Sequence, residues 1–330
     1  MRSEDTGSAA RRDPDGALAD IATYVSGHQV DGDVAYETAF YWLMDSLACA
    51  FQALEHPACR RLLGPVVPGA TMARGARVPG TSYELDPVQA AFNIGAMTGW
   101  RDAIVAPSDA GSGHPSSNLG GILAVADYLS RKAVAEGRGP LIVRDVLAAM
   151  VKAYQVQRFI APDRGLAALD RAAAARVASA AVVTAMLGGT REQVLSAASG
   201  AWADGGASNS DRHVPDTGEY MSRAVGDATS RGVRFALIAV TVGPGYRPPS
   251  SSAESAALQQ PAAKDGSGRI AAEAIVMREP GPRILERFTA STAAHFPPAQ
   301  ASRIKALFAD RTRFEAMPVH EFVSALVRNH

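Results

Sequence analysis

The apolar residues of this chain recur at spacings of three and four, and that period commits most of it to amphipathic helices. Between residues 33 and 54, Phe40, Leu43, Met44, Leu47, Ala48, Phe51 and Leu54 fall on one helical stripe. The spacing returns at 86–100 through Val88, Ala91, Phe92, Gly95 and Ala96. It returns again at 119–134 (Leu119, Ile122, Leu123, Ala126, Leu129) and at 143–160 (Leu147, Met150, Val151, Tyr154). Residues 166–187 are alanine-rich and favour helix, with the stripe at 172–181 read as helix packing. Thr190-Arg191-Glu192-Gln193 has the capping-box spacing and starts a helix ending near Trp202, stopped by Gly205 and Gly206. Residues 222–240, 304–308 and 319–327 are helical in character as well.

The connecting segments are rich in Pro, Gly and Ser at 60–83 and 101–118, and polar at 207–220. Residues 243–268 are low-complexity, and a short β-like run is expected at 269–277. The fold expected is mainly α. It divides into a disordered leader at 1–16, a helical domain at 17–242, a linker at 243–268 and a remnant with C-terminal helices at 269–330.

A chain of 330 residues, 47% hydrophobic, can bury a large core. Lys+Arg and Asp+Glu stand at 33 each with no basic block, so no electrostatic footprint for nucleic acid or an anionic membrane exists. Two cysteines, Cys49 and Cys59, make no disulfide framework, zinc motif or four-cysteine cluster. The N-terminus is polar and lacks an apolar signal core, and no apolar run reaches the roughly 18 residues of a membrane span. The expected location is the cytoplasm.

Several blocks resemble the MmgE/PrpD family of 2-methylcitrate dehydratases. They are Ala76-Arg77-Val78-Pro79-Gly80-Thr81, the run from Leu85-Asp86-Pro87 to Gly95-Ala96-Met97, and Gly113-His114-Pro115-Ser116-Ser117-Asn118-Leu119-Gly120-Gly121. Asp211-Arg212-His213, Gly226-Asp227-Ala228-Thr229-Ser230-Arg231 and the tail Phe314-Glu315-Ala316-Met317-Pro318-Val319-His320-Glu321-Phe322 follow in family order. The resemblance implies a large helical domain with a smaller α+β domain, here reduced or missing, and loss of water from a small tricarboxylate in propionate breakdown. It implies no metal and no cofactor. Three places depart from the family pattern. The stretch before Gly113 is Trp100-Arg101-Asp102-Ala103-Ile104-Val105-Ala106-Pro107, where only Asp102 keeps its place. Met221 stands where a lysine is expected, and 158–162 replaces a Glu-containing stretch.

Dehydration next to carboxylates needs a base for a carbon-bound proton, an acid for the departing hydroxyl, and cations or aimed N–H groups for the carboxylates. His114 titrates in the right range and precedes Pro115, beside a helix expected to begin at Leu119 and to be capped by Ser116, Ser117 or Asn118. On the residues alone a histidine hydrogen-bonded across its loop is the plainer reading; the resemblance puts function ahead. By the same resemblance His213 and Asp102 join His114 as catalytic residues. Arg212, Arg231, Ser116 and Asn118 are the candidate substrate-binding residues. The plainer reading of Arg231 is an i, i+4 partner of Asp227, and that of Asp102 a surface or capping carboxylate. The alternative function is a catalytically impaired or repurposed homologue that serves as a binding or oligomer partner or takes a less charged substrate. A reduced small domain would expose apolar surface, so a homodimer is expected.

Overall fold

The structure, a computed structural model, describes residues 14–100, 115–160, 168–204, 218–243, 270 and 281–328. Its long helices are α1 (Pro14–Gly27), α2 (Asp33–Ala53), α4 (Pro87–Gly99), α5 (Leu119–Ala135), α6 (Val143–Ile160), α7 (Ala168–Met186), α8 (Arg191–Ala203) and α9 (Gly218–Val242). α3 (Pro57–Arg60) is a single turn, and a 3-10 turn, Pro115–Asn118, leads into α5. β1 (Ala76–Arg77) and β2 (Glu84–Leu85) form the one two-stranded sheet among the described residues, and Ile142 and Pro318 make an isolated antiparallel bridge. α10 (Gly281–His295), α11 (Pro298–Leu307), α12 (Arg311–Glu315) and α13 (Val319–Leu326) complete the chain. The fold is mainly α, as the periodicity requires.

The helical stripes read from sequence match α2, α4, α5 and α6 closely. The capping box is present: Gln193 N donates to Thr190 Oγ1 at 3.3 Å and Thr190 N to Gln193 Oε1 at 2.9 Å. Four helices, α1, α3, α10 and α12, were not foreseen. α1 does carry a stripe at helical spacing, Leu18, Ile21, Ala22 and Val25, all buried; α3 and α12 are too short for a periodic signal, and α10 carries a mixed composition, GPRILERFTASTAAH. The segment 60–83, read as loop, holds β1. The β-like run at 269–277 lies outside the described residues except for Ile270, which is not in a strand.

α9 is the axis of the fold. It lies antiparallel to α4: Ser222 Oγ donates to Ala96 O at 2.6 Å, and Gly99 packs on Val225 and the Met221 carbonyl. The crossing is so close that a Cβ on Gly226 would sit 2.8 Å from Phe92 O. A Cβ on Gly120 would sit 2.5 Å from Ala91 O, so α5 too approaches only because that residue has no side chain. α7 runs parallel to α9, with Gly232 against Ser179 and the Arg176 carbonyl. α8 returns antiparallel, with Gly200 on Phe235 and Gln193 Nε2 donating to Ala239 O at 3.1 Å.

The C-terminal helices share the core with the rest. Phe308 packs on Phe314 at 4.4 Å and on Phe288 at 4.7 Å, and Phe314 on Phe322 at 5.1 Å and Phe40 of α2 at 5.6 Å. Ring pairs at such tilted and edge-on angles add about 0.5–1.5 kcal/mol each beyond the area they bury. Asp127 of α5, with no exposure, fixes β1 beneath them. It accepts from Arg77 N at 2.9 Å, Nε at 3.1 Å and Nη2 at 2.7 Å, and Nη2 also donates to His320 O at 2.6 Å. Cys49 and Cys59 are buried, and neither is in a disulfide. Among the described residues no helix is long and apolar enough to cross a membrane, and no three His, Cys, Asp or Glu side chains could hold a metal ion together.

Candidate active site

The candidate loops leave the helices around the first half of α9. α4 ends beside Met221 and Val225. Thr98 Oγ1 donates to Ser116 O at 3.2 Å, which ties that end to the 3-10 turn. α7 is joined to the end of α8 through Arg176 Nε, which donates to Ala201 O at 2.9 Å. α6 ends at Ile160, which lines a cleft with Arg176 and Trp202. The described ends of 101–114, 161–167 and 205–217 are thus neighbours in space. His114, Asp102, Arg212 and His213 themselves lie outside the described residues.

Ser116 and Asn118 are described, and both are buried. Of the three residues expected to cap α5, Asn118 stands at the N-cap position, yet its side chain caps nothing. Its Oδ1 instead accepts from Ser179 Oγ of α7 at 2.9 Å. Ser179 has a single hydroxyl hydrogen, so Thr229 Oγ1, 3.2 Å away, must donate to Ser179. Thr229 Oγ1 in turn accepts from Gly121 N at 2.7 Å, an N–H of the first turn of α5 with no partner inside its helix. The helix end is satisfied by a one-way relay: Gly121 to Thr229 to Ser179 to Asn118. Three helices must pack before any of it exists.

Asn118 Nδ2 is buried and unpartnered, and so are both amide atoms of Gln157, Arg176 Nη2 and Trp202 Nε1. Buried polar atoms without partners are rare in folded proteins, and leaving one costs about 1–3 kcal/mol. Five such atoms lie on the 3-10 turn, α6, α7 and α8, and four of them belong to groups that donate; Thr292 Oγ1, Glu315 Oε1 and His320 Nδ1, in the C-terminal helices, have no hydrogen-bond partner either. Burial pulls the guanidinium of Arg176 below its ordinary pKa, while Asp204 pulls it the other way; an arginine stays charged through such a shift.

Arg231 sits half-exposed. Its Nε lies 2.9 Å from Asp227 and its Nη1 3.0 Å from Asp204, and the bond to Asp204 holds its pKa above the ordinary value. The i, i+4 pair read from sequence is therefore present, with Asp204 as a second partner. Met221 is almost fully buried. His295 bonds Gly80 O through Nε2 at 2.7 Å and stacks on Phe51, a structural role. Reading the sequence did not single out Gln157, Arg176 or Trp202 as site residues. Arg176 had a signal: it is the one charged residue inside the buried alanine stripe 172–181.

Asn118 Nδ2, Gln157 Nε2, Arg176 Nη2 and Trp202 Nε1 are donors that a small ligand rich in hydrogen-bond acceptors could satisfy. Residues 19–256 match the family model described as the MmgE/PrpD N-terminal domain, and the chain belongs to that family. It is 52% identical over 238 residues to a 2-methylcitrate dehydratase of Salmonella typhimurium, covering 72% of this chain and 49% of that protein. It is 53% identical over 234 residues to the Escherichia coli 2-methylcitrate dehydratase, covering 70% and 48%. The mitochondrial 2-methylcitrate dehydratase of Yarrowia lipolytica is 44% identical over 232 residues, covering 69% and 45%. The chain spans about half the length of these relatives.

Proposed function

We propose that this chain acts as a hydro-lyase of the 2-methylcitrate dehydratase type, taking water from a small tricarboxylate in propionate breakdown. The observation that carries the reading is the set of buried, unpaired donors: Asn118 Nδ2, Gln157 Nε2, Arg176 Nη2 and Trp202 Nε1. A ligand with three carboxylates brings the acceptors such a set lacks. About half of the residues are identical to proteins of that name over more than two thirds of the chain, which supports the same substrate class.

In this reading His114 exchanges the proton of the reacting centre, assisted by His213, with Asp102 orienting His114. One carbon-bound proton leaves to the base, the electron pair forms the double bond, and the protonated hydroxyl departs as water. Arg212, Arg231, Ser116 and Asn118 hold carboxylates. A second reading rests on Met221, buried where the family resemblance expects a lysine. It is a repurposed homologue with a less charged substrate, or one that binds without turnover. The protein works in the cytoplasm as a homodimer; a monomeric mass by light scattering at micromolar protein overturns the dimer.

The test is incubation of the purified chain with 2-methylcitrate, citrate and cis-aconitate. Double-bond formation is followed by ultraviolet absorbance and products by mass spectrometry. Turnover of 2-methylcitrate that falls about 10²–10⁴-fold in His114→Ala supports the assignment. Folded protein that turns over none of the three overturns the dehydratase. Binding without turnover selects the second reading.

A further inference from the structure

Asn118, Ser179 and Thr229 are fully buried, and they come from the 3-10 turn, α7 and α9. Their bonds run one way, from Gly121 N through Thr229 and Ser179 to Asn118 Oδ1. That direction has a consequence at its last member. A primary amide has one acceptor oxygen and, on the other arm of the same plane, a nitrogen with two donor hydrogens. Turning the amide over would set Nδ2 against Ser179 Oγ and send the Ser179 hydrogen to Thr229 Oγ1. The Thr229 hydrogen would then have no acceptor among the described residues, and Oδ1 would be buried without a donor. The relay therefore decides which arm of Asn118 is spent, and Nδ2 is left as the buried donor with no partner. Packing keeps both hydroxyls in place. Gly232 of α9 sits directly on the Ser179 Cβ, and Thr229 Cγ2 fills the space at Gly95 and Gly120. The amide so held lies four positions after His114, in the turn that Thr98 ties to the end of α4.

We infer that Ser179 and Thr229 are positioning residues for the substrate site: through the relay they hold Asn118 with its NH2 arm committed to the ligand, so that it pairs with a carboxylate oxygen and not with a donor. Neither hydroxyl has to touch the substrate, because both act through one amide. An N–H that meets a carboxylate makes a stronger bond than one between neutral groups. The bond is also made in the ground state, since a carboxylate keeps its charge while water leaves a neighbouring carbon. Its loss therefore weakens binding of substrate and transition state alike. The substrate class rests on the dehydratase reading; the orientation of the amide does not.

The experiment reads the side-chain NH2 signals of isotope-labelled full-length protein, whose asparagines are Asn93, Asn118, Asn209 and Asn329. Asn118→Ala identifies the pair of interest by its disappearance. The probes are acetate, citrate and 2-methylcitrate, and circular dichroism checks that each variant is folded. The expected result is a saturable shift of the Asn118 signals with 2-methylcitrate. Thr229→Val and Ser179→Ala, which cut the relay on two different helices, should each weaken binding by roughly tenfold, the scale of one charged hydrogen bond. Thr229→Ser keeps the hydroxyl and should bind as the parent does. With turnover the loss should appear in KM and leave kcat nearly unchanged. In an Asn118→Ala background Thr229→Val should cost no further affinity, because the hydroxyl acts only through that amide. If 2-methylcitrate is turned over while the Asn118 signals stay still, or while Thr229→Val costs as much affinity without Asn118 as with it, the positioning role is wrong and the dehydratase stands. The same holds if folded Ser179→Ala and Thr229→Val both bind as the parent does. If acetate or citrate moves the signals and Ser179→Ala weakens that response, while no tricarboxylate is turned over, the positioning role stands and the dehydratase falls. If no probe moves them and none is turned over, both fall.

Discussion

Thr229→Val removes one hydroxyl and keeps the shape of the side chain, so it isolates the relay that ends at Asn118. The loss strands the Gly121 N–H, now held at 2.7 Å, in the first turn of α5, where no helical carbonyl can replace Thr229. A buried donor left so costs about 1–3 kcal/mol. Ser179 Oγ also loses the hydrogen donated from 3.2 Å, a net bond of about 0.5–1.5 kcal/mol. The expected destabilisation is about 2–4 kcal/mol. Thr229→Ser makes the opposite cut: it keeps the relay and deletes Cγ2, the methyl that fills the space above Gly95 and Gly120. One buried methyl is worth about 1 kcal/mol. The serine variant should therefore be the more stable of the two. Urea unfolding followed by circular dichroism, with an unchanged slope on urea, measures both. A valine variant within about 0.5 kcal/mol of the parent, or one more stable than the serine variant, refutes the relay.

Other consequences are as direct. Arg77→Ala leaves the Asp127 carboxylate buried with one backbone donor and should cost about 3–5 kcal/mol in urea unfolding, whereas Arg77→Met with Asp127→Leu should recover much of it. Thr190→Ala opens the capping box of α8 and should cost about 1 kcal/mol by the same assay. Burial pushes the Cys59 thiol up from 9.0 to about 12, against a hydrogen bond to Ser222 that lowers it. In folded protein Cys59 should resist alkylation at mildly alkaline pH and react only on unfolding. Because the folded value is the raised one, its contribution to stability is full below pH 9.0 and is lost as the pH climbs towards about 12, readable as a falling unfolding midpoint.

The candidate site was only partly legible. Ser116, Asn118 and Arg231 were named from the family resemblance, and the pairing of Arg231 with Asp227 follows from helical spacing alone. The second partner, Asp204, is 27 positions away on another helix, and no local rule links them. Asn118, one of the three residues expected to cap α5, makes no side-chain cap for a similar reason. Capping preferences describe an isolated helix end, and here Ser179 of α7 competes for the same oxygen and takes it. Gln157 and Trp202 looked like ordinary polar and aromatic helix residues; only their unpaired, buried atoms single them out.

What the sequence determined by itself was whatever depends on near neighbours. The three-and-four spacing fixed α2, α4, α5 and α6, the Thr190–Gln193 box fixed the start of α8, and ordered blocks of residues fixed the family. The tertiary structure decided the rest. It chose which helix faces meet, joined the C-terminal phenylalanines to α2, set a closely crossed α9 as the axis, and left Arg176 and Trp202 facing one cleft. Those outcomes turn on contacts between residues far apart in the chain. Helical periodicity says which side of a helix is buried but not which partner buries it or which polar atoms that partner leaves unpaired.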